Sequence, residues 1–115
     1  MEKFISSKSR QLLGWDEILE GGLAPGARVM SWRGEKGGIE AARMGHDVIM
    51  TPGGTCYFDK YQQDPTTEPE AIGGYLPMKR VYNYNPIPAV LALDKQKYIK
   101  GTQGQLWSEY IPNTT

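Results

Sequence analysis

Three short stretches of this chain place an aromatic ring next to a carboxylate: Trp15-Asp16-Glu17, Tyr57-Phe58-Asp59 and Trp107-Ser108-Glu109. A further aromatic residue, Trp32, closes the apolar run Val29-Met30-Ser31. A ring beside an acid suits a sugar. The apolar C–H face of the sugar packs on the ring, and its hydroxyls donate hydrogen bonds to the carboxylate. Residues 103–109 read as a short buried strand that delivers Trp107 and then Glu109. Alternate residues of a strand point to one side, so this pair addresses one ligand if the strand runs that far.

The elements that must carry these groups are short. Strands are expected at residues 11–15, 28–32, 48–50 and 100–107, and the tail of a helix at 4–10. A helical turn over 16–20 is stopped by Gly21-Gly22, and residues 23–26 form a loop with turn chemistry. Residues 34–38 are a glycine-rich connection without either phosphate-loop pattern. The helix that follows, 39–44, has Gly45 as its C-terminal stop. Residues 61–76, rich in Pro, Gly, Thr and acids, form a long excursion. Residues 79–84 make a short helix or turn, and 89–94 stay open between helix and strand.

Short apolar strands alternating with helices or long loops predict βα units and a parallel sheet. The side chains that carry chemistry follow the strands, where a (β/α)8 barrel places its sites. A whole barrel takes about 250 residues, so 115 residues with four strands make roughly half of one. That length supports one domain with one core.

Composition narrows the function further. Lys+Arg 13 balances Asp+Glu 13, which removes the electrostatic case for nucleic acid or an acidic membrane. The single cysteine, Cys56, rules out an internal disulfide and reads as a small packing residue. His46 has no neighbouring His or Cys, so neither a metal site nor a cofactor is expected. Met1-Glu2-Lys3-Phe4-Ile5 lacks the apolar region of a signal peptide. The longest apolar stretch, 87–93, contains Pro88 and is too short to span a bilayer.

Four motifs in register carry a resemblance: Gly14-Trp15-Asp16-Glu17, Met30-Ser31-Trp32-Arg33-Gly34, Tyr57-Phe58-Asp59-Lys60-Tyr61-Gln62 and Gly104-Gln105-Leu106-Trp107-Ser108-Glu109-Tyr110. Together they resemble the C-terminal half of the catalytic barrel of β-N-acetylhexosaminidases, glycoside hydrolase family 20. The resemblance runs from about Gln11 to Ile111 and implies that residues 1–115 are one partial domain, strands five to eight of a (β/α)8 barrel. It implies that Trp15, Trp32 and Trp107 wall the pocket for the sugar ring and its N-acetyl group. Tyr57 would donate its hydroxyl to the acetamido carbonyl, and Asp59 and Glu109 would hold sugar hydroxyls. The implied partners are N-acetylhexosamine-containing glycans, and the implied parent is periplasmic or secreted.

One departure from the family is large. Its catalytic Asp–Glu pair lies at the end of strand four, upstream of every motif found here. Asp16-Glu17 is an Asp–Glu pair, but it matches the strand-five motif and is expected to be structural or at the pocket rim. Two other readings stand beside this one: a noncatalytic sugar-binding module that reuses the aromatic–acid pairs, and a fold fragment with no ligand. A half barrel also leaves two strand edges open, expected at Leu12-Leu13 and at 104–106, through which copies could associate.

Overall fold

A computed structural model of the chain describes residues 1–113. Four strands, β1 (Leu13–Trp15), β2 (Arg28–Ser31), β3 (Val48–Met50) and β4 (Ile99–Thr102), form one parallel sheet in the order β1-β2-β3-β4. The register runs Leu13 to Arg28, Val29 to Val48 and Val48 to Ile99. Parallel neighbours need crossover connections. These contain a 3-10 helix (Asp16–Gly21), α2 (Lys36–Arg43), α3 (Met78–Tyr82) and α4 (Leu93–Gln96), while α1 (Glu2–Ser7) precedes the sheet. A sheet that adds strands in one direction, without the reversal of order seen in doubly wound folds, is the arc of a barrel.

The shape agrees with an arc. The radius of gyration is 16.4 Å, against about 13 Å for a compact chain of this size. The core lies between the sheet and α2. Val29, Val48 and Met50 are fully buried there with Ala41, Ala42 and Leu91, and Leu19, Ile39 and Ile99 pack around them. Small residues on the helix, Gly38, Ala41 and Ala42, let it lie close to the strands. Strand alternation turns Leu13, Met30 and Ile49 to the opposite face. There Asp47 bridges Arg28 at 3.6 Å and Lys100 at 3.5 Å near the strand N-termini. Among the described residues no helix is long and apolar enough to cross a membrane.

Two expected boundaries move. The connection at 34–38 is shorter than read, because α2 already begins at Lys36. Ser31 at the end of β2 explains this: its Oγ accepts the Gly38 N–H at 2.9 Å and donates to the Gly34 carbonyl at 2.6 Å. That bond satisfies a helix N-terminal amide that would otherwise lack a partner. At the far end of α2, Gly45 takes φ +85°, the left-handed stop expected of it.

The last strand is the larger correction. Residues 100–107 were expected to be strand, with 103–109 buried, but β4 ends at Thr102. Its partner β3 stops at Met50, whose carbonyl is taken by the Thr102 hydroxyl at 2.6 Å. The ladder therefore has nothing further to pair with. The chain pairs once more, at an isolated bridge between Gln105 and Tyr57, and Leu106 is left 66% exposed. Among the described residues the edge strands are thus β1 and β4, the latter at Ile99–Thr102 and not at 104–106. Residues 89–94, left open in the sequence, resolve into a turn followed by the start of α4.

Candidate functional site

The chain segments that follow the four strands converge at one end of the sheet. Trp15 is the last residue of β1 and Trp32 comes directly after β2. Tyr57 and Asp59 sit on the loop after β3, and Trp107 and Glu109 on the segment after β4. All six line one cavity of about 660 Å³, a size that suits a small ligand.

Each wall is held by identifiable bonds. The Trp32 carbonyl accepts the Gly53 N–H at 2.9 Å, which brings the loop after β3 against the end of β2. Tyr57 is aligned by the bridge to Gln105: Phe58 N–H donates to the Gln105 carbonyl and Gln105 N–H to the Cys56 carbonyl, both at 2.7 Å. Gly104 makes that approach possible. A Cβ there would lie 2.3 Å from the Phe58 ring. Cys56 itself is buried, with Sγ 3.3 Å from the Thr102 hydroxyl, in a packing position.

The aromatic rings form two pairs. Trp15 and Trp107 lie 6.0 Å apart at 48°, and Trp32 and Tyr57 lie 6.4 Å apart at 33°. Both separations fall within the range of favourable aromatic contact. Trp107 remains 41% exposed, because it lies on an irregular segment and not on a buried strand. The expected strand geometry for Trp107 and Glu109 is absent, yet both reach the same cavity from the loop.

Burial pushes the Tyr57 phenol above its ordinary range, and the charges of Asp59, Asp16 and Glu17 add to this against the opposing Trp107 indole N–H. Tyr57 therefore stays protonated and able to donate. Asp59 contributes a different feature. Its Oδ1 is buried and has no hydrogen-bond partner among the described residues. A buried carboxylate oxygen without a donor is costly.

Residues that the sequence reading did not assign to the site also line it. Arg33 does so from the segment after β2 and Ile72 from the long excursion, while Glu17, expected to be structural or at the rim, lines the cavity from the segment after β1. The excursion is folded back by Tyr61, whose hydroxyl accepts the Ala71 N–H at 3.2 Å and whose backbone pairs with Tyr75. Nothing local in the sequence marks Ile72, since its place depends on those distant bonds. Asp16, expected to be structural or at the rim, is buried at 2% exposure and serves Trp32 and Arg33. No group of three or more His, Cys, Asp or Glu side chains comes together as a metal site among the described residues.

Residues 1–115 match the protein family described as glycosyl hydrolase family 20, catalytic domain. The chain belongs to that family. This family 20 chain is 62% identical over 111 residues to a beta-hexosaminidase of Porphyromonas gingivalis, covering 96% of the chain and 14% of the relative. It is 34% identical over 115 residues to a beta-hexosaminidase of Vibrio furnissii, with 97% and 19% covered. Among solved structures, the family 20 exo-β-N-acetylglucosaminidase of Vibrio harveyi in complex with N-acetylglucosamine superposes with a TM-score of 0.80 at 34% identity, over 97% of this chain and 18% of that one. The family 20 chain thus spans less than a fifth of the length of each of these relatives. Its four-stranded parallel sheet with helices is a partial (β/α)8 barrel.

Proposed function

We propose that this chain is the C-terminal half of the catalytic barrel of a β-N-acetylhexosaminidase, and that its cavity receives a terminal N-acetylhexosamine. The observation that carries the reading is the convergence of Trp15, Trp32, Tyr57, Asp59, Trp107 and Glu109 on one cavity in a family 20 chain. The indoles pack against the sugar ring and its acetamido group. The Tyr57 hydroxyl donates to the acetamido carbonyl, while Asp59 and Glu109 accept from sugar hydroxyls.

Family 20 is an exception to the two-carboxylate scheme of most glycosidases, because the substrate assists. The acetamido oxygen attacks the anomeric carbon, the glycosidic bond breaks, and a glutamic acid protonates the leaving oxygen. Water then opens the cyclic oxazolinium with retention. This chain supplies positioning to that sequence. The acid itself is not among its residues. Asp16 is buried under three hydrogen bonds and Glu17 is engaged by Trp32, which supports the reading that neither serves as the acid.

The reading is tested on the purified 115-residue chain. It should bind N-acetylglucosamine more tightly than glucose by tryptophan fluorescence, and release no chromogenic aglycone from a β-N-acetylglucosaminide. Equal affinity for the two sugars would remove the acetamido assignment. Turnover above buffer that disappears in Trp107→Ala would show that the chain holds its own acid.

A further inference from the structure

The 3-10 helix after β1 carries three carboxylates, Asp16, Glu17 and Glu20, and their partners differ in a way that matters for Trp32. Arg33 takes two of them: its Nε donates to Asp16 Oδ1 at 2.6 Å and its Nη1 to Glu20 Oε1 at 2.9 Å. Glu17 has no cationic partner among the described residues. Its carboxylate instead accepts the Trp32 indole N–H, at 2.9 Å through Oε1 and 3.1 Å through Oε2. Asp16 Oδ2 meanwhile accepts the backbone N–H of Trp32 at 3.0 Å and of Arg33 at 3.1 Å.

Two adjacent acids therefore hold one tryptophan at two points, its backbone and the polar edge of its ring. The second point matters because rotation about the bond to an aromatic ring is broad and roughly two-fold. Packing alone distinguishes poorly between a ring and its flipped pose. An indole has one polar atom, a donor, so a charged acceptor on one side selects one pose. That pose also fixes the surface presented to Tyr57, 6.4 Å away.

We infer that Asp16 and Glu17 form a two-point clamp that sets the pose of Trp32 in the cavity, and are positioning residues for whatever the cavity binds. That the ligand is an N-acetylated sugar rests on the function proposed above. The clamp itself does not depend on it.

The test is made on the ¹⁵N-labelled 115-residue chain, whose Trp count of 3 gives one indole N–H resonance per ring. Trp32→Phe assigns the relevant one. Without ligand, Glu17→Ala should move the Trp32 indole proton upfield and leave those of Trp15 and Trp107 in place. Glu17→Gln, which keeps a carbonyl acceptor, should return it towards its original position. With N-acetylglucosamine added, Glu17→Ala should bind roughly threefold to tenfold more weakly, the loss of about one hydrogen bond, and Glu17→Gln should recover most of that. A Trp32 resonance unmoved in Glu17→Ala, or moved equally by both variants, overturns the clamp, as do three coincident indole resonances in the unmodified chain. A moved resonance with undiminished affinity overturns the positioning role. An unmodified chain that shows the ligand-free pattern but binds no N-acetylglucosamine supports the clamp and removes the proposed ligand.

Discussion

The indole rings of Trp15 and Trp107 lie 6.0 Å apart, although Trp15 ends β1 at one edge of the sheet and Trp107 follows β4 at the other. In a flat sheet those edges are three strand spacings apart, about 14 Å. The rings meet because the sheet is an arc and because the chain after β4 folds back across the strand ends, fastened to the Tyr57 loop through Gln105. One pocket wall is thus built from two ends of the chain, which makes it a measure of whether the arc is intact.

On the function proposed above, Tyr57→Phe in a full-length family 20 enzyme that contains this chain should lower kcat by about 10²–10³, by analogy with the loss of one preorganised oxyanion donor. KM should change little. On that reading charge spreads over the acetamido group only as the oxazolinium forms, so a donated hydrogen bond from Tyr57 would strengthen most in the transition state. Phe keeps the ring and its packing on Trp32. Steady-state kinetics decide it: a kcat within about threefold of the unmodified enzyme, less than 1 kcal/mol, would mean that Tyr57 does not play this role.

Alkaline stability should report on Tyr84. Burial comes first, and then its hydrogen bond to Glu35 at 3.0 Å, in raising this phenol above its ordinary value of 10.0. The folded chain holds the proton more tightly than the unfolded chain. The stabilisation is therefore complete below about pH 10 and is lost as pH rises through the folded value. Urea unfolding at a series of pH values should show stability falling from about pH 10 upward. Tyr84→Phe should flatten most of that fall, the remainder belonging to Tyr57. An unchanged slope in the variant would place the effect elsewhere.

Asp16→Ala should destabilise the chain by about 2 kcal/mol, because the N–H groups of Trp32 and Arg33 would lose their acceptor in a part-buried setting. Glu17→Ala should cost much less, since Glu17 is exposed. The two urea midpoints, compared at constant m-value, check the order. A larger loss for Glu17→Ala would contradict it.

Self-association of the isolated chain should follow from its edges. Among the described residues β1 and β4 each have one strand neighbour, and open edges invite pairing with another chain. Light scattering at micromolar concentration should give a mass above that of the monomer. A monodisperse monomer would count against the idea.

Much of this molecule is legible in the sequence because its signals are local. The aromatic–acid pairs, the short apolar strands, the stop at Gly45 and the excursion after Tyr61 each depend on neighbours along the chain, and the motifs name six of the residues that line the cavity. Tertiary structure decided what depends on partners far away in sequence. β4 ends at Thr102 because β3 ends at Met50, and α2 starts at Lys36 because Ser31 accepts the Gly38 N–H of its first turn. Ile72 enters the cavity because Tyr61 folds the excursion back, through its hydroxyl to Ala71 and its pairing with Tyr75. Asp16-Glu17, in sequence only an acidic pair after a strand, acquires its relation to Trp32 from hydrogen bonds spanning 15 and 16 residues. Backbone and side-chain donors must each find an acceptor once buried, and which acceptor that is follows from the assembled sheet, not from the order of residues.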